Sequence, residues 1–217
     1  MTAQKKTKTP EDIISLYMDY VLEHDREPAS VYKFCKDSAI TEQEFYAAAG
    51  SFPGLRKEIW NRLFQNAHEV AHKSDGFAEF SAKDKMLTLL YTFFEVLTAN
   101  RSYVLFTLDK KEGPLKSLEE LSGLRKHIKA FAGDLIKETN SDKTLKILKH
   151  PVVLFSEGAW VQTLFILKYW MDDSSANFEK TDVMIEKTVR VIFDVFETTP
   201  LESIVDFGKF LWKEKMN

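Results

Sequence analysis

The chain has 217 residues, 44% of them hydrophobic and 13% aromatic, which is enough for a sizeable core. Its 8 Gly and 6 Pro are too few for a turn-rich β fold, and its net charge of −3 excludes a globally basic nucleic-acid binder but not a locally basic face. The single Cys35 permits no internal disulfide and fits a reducing compartment.

Residues 1–9 carry Lys5, Lys6 and Lys8 and are expected to form a flexible arm. They contain no apolar run of the signal-peptide kind, and the most apolar stretch, Ala159 to Met171, is interrupted by Gln162 and Lys168. A cytoplasmic protein without a membrane span is the expectation.

Thr9-Pro10-Glu11-Asp12 reads as a helix start, with a cap, Pro at the first position and acids in the first turn. Ile13, Leu16, Tyr17, Tyr20 and Val21 follow at helical spacing, and the run stops by Pro28. Ser30 caps a short helix through Val31, Phe34 and Cys35. Ser38-Ala39-Ile40 makes a turn, and Thr41 with Glu44 three residues on forms a capping box for a helix carrying Phe45, Ala48 and Ala49. Cys35 falls on the apolar face and reads as packing, not as a nucleophile. Pro53 opens a longer helix from Leu55 to Ala71, stopped by Lys73-Ser74-Asp75-Gly76. A seam at about 72–80 divides a domain 10–74 from a domain 75–217.

The remainder reads as helix throughout. Ser81 caps a run from Met86 to Leu97, and a short helix carries Tyr103, Val104 and Phe106 up to a break at Gly113-Pro114. Leu118 to Ile136 repeats apolar residues every three or four positions, and residues 142–150 form a short amphipathic helix ending at Pro151. Helices are expected over 156–171, 178–197 and 201–215, with the first two antiparallel across a short turn. There is no convincing period-2 pattern, so the fold class is all-α.

Residues 30–46 carry the outline of a helix-turn-helix. Ser30-Val31 stands at the start of its first helix, Phe34-Cys35 follows, Ser38-Ala39-Ile40 is the turn, Thr41 the second cap and Phe45-Tyr46 the end. From Ala29 to Tyr46 the chain thereby resembles the TetR family of bacterial one-component regulators, with no gap. Ala39 replaces the family's turn Gly, Ala49 an aromatic, and Phe52 the Lys that starts the fourth helix and meets a phosphate. Arg56 and Lys57 sit one turn later.

The resemblance implies a TetR-like all-α homodimer paired through helices at about 156–173 and 178–197. It also implies a ligand-responsive repressor, with no enzymatic activity, cofactor or metal. Operator DNA would be met by Ser30, Lys33, Thr41, Gln43, Tyr46, Arg56 and Lys57. A small apolar or amphipathic ligand would lie in the C-terminal domain among Phe93, Phe94, Phe106, Phe131, Trp160 and Phe165, with Tyr103, His127 and Gln162 as polar handles. For each aromatic taken singly, ordinary core packing competes with that role.

Charge complicates the DNA role. Residues 1–74 hold ten Lys and Arg against eleven Asp and Glu, and Thr41 to Ala49 has Glu42 and Glu44 but no cation. Non-specific DNA affinity comes mostly from cations that meet phosphates. The alternative is a protein of the same fold that has given up DNA and binds a lipid or other hydrophobe, as the ubiquinone-biosynthesis lipid-binding proteins do. His68-Glu69-Val70-Ala71-His72 matches the H-E-x-x-H zinc-protease helix. It falls at a helix end without the usual extension, and two exposed histidines complementing the helix dipole are the expectation.

Overall fold

In the computed structural model, which describes residues 7–108, 119–141 and 151–198, helix α1 (Pro10–His24) starts where the sequence predicts. Thr9 and Asp12 cap it reciprocally, and it ends at Asp25 in the left-handed conformation. Helix α2 (Val31–Asp37) is capped by the Ser30 hydroxyl, which accepts from Lys33 N at 3.2 Å. Helix α3 (Glu42–Ala48) has the expected box between Thr41 and Glu44. Helix α4 (Phe52–His72) runs 21 residues, about 30 Å at 1.5 Å per residue. Gly76 follows it with φ +74°, a backbone that a residue with a side chain adopts only under strain.

Helices α5 (Ala82–Ala99), α6 (Arg101–Leu108), α7 (Ser122–Ser141), α8 (Val152–Asp172) and α9 (Glu179–Thr198) complete the described chain, with single 3-10 turns at Phe77–Glu79 and Ala176–Phe178. No strand occurs among the described residues, and the fold is all-α. The helices expected at 142–150 and 201–215, the break at Gly113-Pro114, and Lys5 and Lys6 of the arm lie outside the described residues. No described helix is long and apolar enough to cross a membrane.

One expected boundary shifts. Helix α8 begins at Val152, directly after Pro151, and not at Ser156. Ser156 lies inside the helix, where its hydroxyl donates to the Val153 carbonyl at 3.0 Å.

The described residues form two compact units. The first falls within Met1–Ala67 and Phe93–Leu124. It joins α1, α2, α3 and most of α4 to the end of α5, to α6 and to residues 119–124. Ile13, Tyr17, Phe34, Phe45, Leu55, Ile59, Trp60, Phe93 and Tyr103 are among its fully buried large side chains. Half-buried Phe52 stacks on Tyr17 at 5.5 Å and meets Phe45 at 5.3 Å and Phe34 at 5.9 Å. Phe52, at the position where the resembled family carries a phosphate-binding Lys, is therefore a packing residue here.

The second unit falls within His68–Thr92 and Arg125–Asn217. Met86, Leu89, Ile128, Leu135, Phe155, Ile166, Trp170 and Val189 fill its core. Helices α8 and α9 meet there as neighbours across the turn at Asp173, whose carboxylate accepts from Ser175 N at 2.9 Å and Thr181 N at 2.9 Å.

Candidate nucleic-acid interface and apolar groove

In the first unit, α3 divides its side chains cleanly. Phe45 turns inward and is fully buried, while Gln43 and Tyr46 face solvent, Tyr46 at 53% exposure. Spacing produces this split, since residues 43 and 46, three apart, share a face that points away from 45 on a helix of 3.6 residues per turn. The turn before it needs Ala39 at φ +53°, a left-handed backbone without the glycine that relieves it. Ser30 and Thr41 use their side chains as caps, so both stand at helix starts. Lys33 is exposed and pairs with Asp37 at 3.4 Å. Tyr32, not singled out by its sequence context, is 65% exposed on the same short helix.

Arg56 and Lys57 of α4 are placed differently from the sequence expectation. Arg56 is 4% exposed. Its Nε donates to Glu120 Oε1 at 2.7 Å and its Nη1 to Glu27 Oε1 at 2.9 Å. Burial opposes its charge, but Tyr17 and Glu120 beside it more than offset that and push its pKa up. A guanidinium spent on two internal carboxylates is not a free phosphate ligand, and this corrects the expectation for Arg56. Lys57 is partly exposed and bonds Glu119 Oε1 at 3.1 Å. The Tyr17 hydroxyl, buried beside the guanidinium, meets no hydrogen-bond geometry, and neither does that of Tyr103. Burial raises both phenol pKa values, Tyr103 most strongly. Cys35 is buried and burial pushes its thiol pKa up, the opposite of an activated nucleophile.

The aromatic residues predicted to surround a ligand fall in both units. Phe93, Phe94, Tyr103 and Phe106 belong to the first, where Phe93 and Phe94 are buried edge to face at 5.8 Å and Tyr103 is fully buried against Tyr17. His127, Phe131, Trp160, Gln162 and Phe165 belong to the second. There Phe131 lies edge-on to His68 at 5.8 Å, and Trp160 is 7% exposed. Gln162 and Phe165 take another place. They line an open groove of about 730 Å³ with Leu154, Val161, Val191, Ile192, Val195 and Phe196, built from the outward faces of α8 and α9. Phe165 is 54% exposed there, Val161 63% and Val191 59%. Gln162 donates through Nε2 to Thr188 Oγ1 at 3.0 Å and so is satisfied within the unit. A contiguous apolar face of this kind on a folded unit marks an interaction surface.

The His68 and His72 rings are tilted by 39° with centres 4.0 Å apart, and His72 Nδ1 lies 2.8 Å from the His68 carbonyl. Burial, then His72 and His127, lower the pKa of His68. No group of three or more potential metal ligands occurs among the described residues.

A family profile described as tetracyclin repressor-like, C-terminal domain, matches residues 85–211. No curated protein matches the chain. Solved structures do. A protein described as a TetR-family transcriptional regulator from Syntrophomonas wolfei superposes with a TM-score of 0.66 at 13% identity, covering 88% of this chain and 95% of that one. The fatty acid degradation regulator FadR from Bacillus halodurans gives 0.57 at 16% identity, covering 87% and 96%. The transcriptional regulator FadR from Bacillus subtilis, in complex with stearoyl-CoA, gives 0.56 at 15% identity, covering 82% and 96%. At such identities the likeness is one of fold.

Proposed function

The chain belongs to the TetR family of transcriptional regulators, and from that premise we propose that it is a ligand-responsive, dimeric DNA-binding repressor. The observation that carries this reading is the split on α3. Phe45 anchors the helix while Gln43 and Tyr46 stand free at the surface, as a reading helix requires. Gln43 is suited to pair with adenine in the major groove. Lys33 and Lys57, each in an exposed ion pair with a carboxylate, are the cations that a phosphate would have to win.

The α8–α9 groove fits a second copy of the chain. Its walls are apolar, it lies on two adjacent antiparallel helices, and an isologous pairing would cover it with itself. Gln162 and Phe165 are then dimer residues. His127, Phe131 and Trp160, of the second unit, remain proposed surroundings of an apolar or amphipathic ligand. A FadR of the same fold was solved with stearoyl-CoA, and a ligand of that amphipathic class suits these residue types. Ligand binding would favour a spacing of the two heads that no longer matches successive major grooves, about 34–36 Å apart. The ligand's differential affinity for the two spacings sets the size of that switch.

The test is binding to the DNA around the protein's own promoter, measured across a salt series. A salt-sensitive complex that prefers this sequence over an unrelated duplex supports the reading. Its absence at low salt sinks it. Co-purified lipid would then favour a hydrophobe-binding protein that has lost its operator.

A further inference from the structure

Both cations that α4 offers near its start are held by carboxylates from one short stretch of chain. Arg56 meets Glu120 at 2.7 Å and Lys57 meets Glu119 at 3.1 Å. One turn further along α4, Asn61 lies against Gly123, where an added Cβ would sit 2.2 Å from Asn61 Oδ1. Residues 119–123 therefore run along α4 in contact at positions 56, 57 and 61.

The two ion pairs differ in kind. The side chains of Arg56 and Glu120 are 5% and 10% exposed, so breaking that pair strands a buried charge. The side chains of Lys57 and Glu119 are 36% and 73% exposed. A pair that wet exchanges readily with other anions and weakens with salt. Glu120 thus holds the stretch in place, and Glu119 rests on Lys57 reversibly.

We propose that Glu119 is an internal competitor of DNA phosphate for Lys57, so that moving the Glu119 side chain off Lys57, with Glu120 still on Arg56, releases a cation for the bound DNA. The proposal rests on the DNA-binding reading above. Each cation that reaches a phosphate releases a counterion and steepens the salt dependence of binding, whereas a lysine neutralised by its own chain contributes nothing. Residues 119–121 lead directly into α7, so any shift of that helix reaches Glu119 through the backbone.

The experiment measures binding of the full-length protein to a labelled DNA duplex of arbitrary sequence, from about 50 to 200 mM salt. Wild type is compared with Glu119→Gln, Lys57→Gln, the double variant, and Glu23→Gln. The last removes an exposed carboxylate of the same unit that pairs with neither α4 cation. Glu119→Gln is expected to bind about threefold to fivefold tighter at the lowest salt, with a log–log slope steeper by about 0.9. Added to Lys57→Gln, it should change nothing. Its exposure predicts an unchanged melting temperature. Equal effects of Glu119→Gln and Glu23→Gln, or an effect that survives in the Lys57→Gln background, would overturn the proposal and leave the DNA reading standing. No binding by any variant at any salt would remove both.

Discussion

Replacing Arg56 tests the structure where it departs furthest from the sequence expectation. Arg56→Met removes the partner of Glu120, whose side chain is 10% exposed, and leaves a carboxylate buried without a counter-charge. Breaking a buried pair on one side costs about 3–5 kcal/mol. Glu120→Met costs less, about 2–3 kcal/mol, because Arg56 keeps Glu27 at 2.9 Å. In Arg56→Met with Glu120→Met, no buried charge remains unpaired, and Glu27, with its side chain 34% exposed, turns to water. The double variant should then lie within about 1–2 kcal/mol of wild type, since apolar replacement of a buried pair is often neutral. The cycle thus gives a coupling of about 3 kcal/mol or more. Arg56→Lys should lose about 1–2 kcal/mol, because one ammonium cannot reproduce the fork that serves two carboxylates. The measurement is urea unfolding at neutral pH and one fixed protein concentration, since an oligomer's stability depends on concentration. Additive single-variant costs, or a loss under about 1 kcal/mol for Arg56→Met, would refute the buried clamp and return Arg56 to the surface as a phosphate ligand.

Phe165→Glu should dissociate the proposed dimer. About half of a phenyl side chain of roughly 200 Å² is exposed, so each copy would bury about 100 Å², worth about 2.5 kcal/mol and counted twice across the two-fold axis. Analytical ultracentrifugation should show monomer at micromolar concentration, and an unchanged dimer would exclude the α8–α9 groove as the interface. Ala39→Gly should stabilise by about 0.5–1 kcal/mol, because relief of the left-handed strain exceeds the extra freedom of the unfolded chain. A lower urea midpoint would contradict the φ of +53°. Burial opposes ionisation of Asp173, but hydrogen bonds from Ser175 and Thr181 more than offset it and bring its pKa from 3.8 to about 2. The folded-state pKa is depressed, so this contribution is present above about pH 4 and disappears as pH falls toward 2. Asp173→Asn should cost about 1–2 kcal/mol at neutral pH. The gap to wild type should close over that window, and a gap independent of pH would show that the bonds do not depend on charge.

The head was legible because its signals are local. Thr9 with Asp12, Ser30 with Lys33 N, and Thr41 with Glu44 lie three residues apart, and all three caps form. The expected start of a helix at residue 156 fell one turn late, and the Ser156 hydroxyl bonds back within a helix already under way. Contacts between distant residues were not legible. Nothing around Arg56 or Lys57 points to an acidic pair 64 and 62 residues later. Apolar content marked both faces of α8 for burial. It could not say that Ile166 and Trp170 face the core while Val161 and Phe165 face outward. That division follows from where α9 lies, and it moved Gln162 and Phe165 from the expected ligand site to the groove.

The acids of the reading helix weigh less against DNA than their charge suggests. Glu44 accepts from Thr41 N at 2.7 Å, from Thr41 Oγ1 at 2.8 Å and from Lys8 N at 2.9 Å, so it serves the start of α3 and the strand of chain before α1. A helix of seven residues is marginal without such help, and Glu42 in its first turn also complements the helix dipole. What α3 leaves free toward a groove is Gln43 and Tyr46, neither of them charged. The cationic deficit lies on α4 instead, where the sequence places Arg56 and Lys57 and the structure pairs both with carboxylates. Of these two only Lys57 can be released without unfolding a core. On the proposed DNA-binding reading, affinity for the phosphate backbone would therefore depend less on the sequence of α3 than on whether Glu119 stays on Lys57.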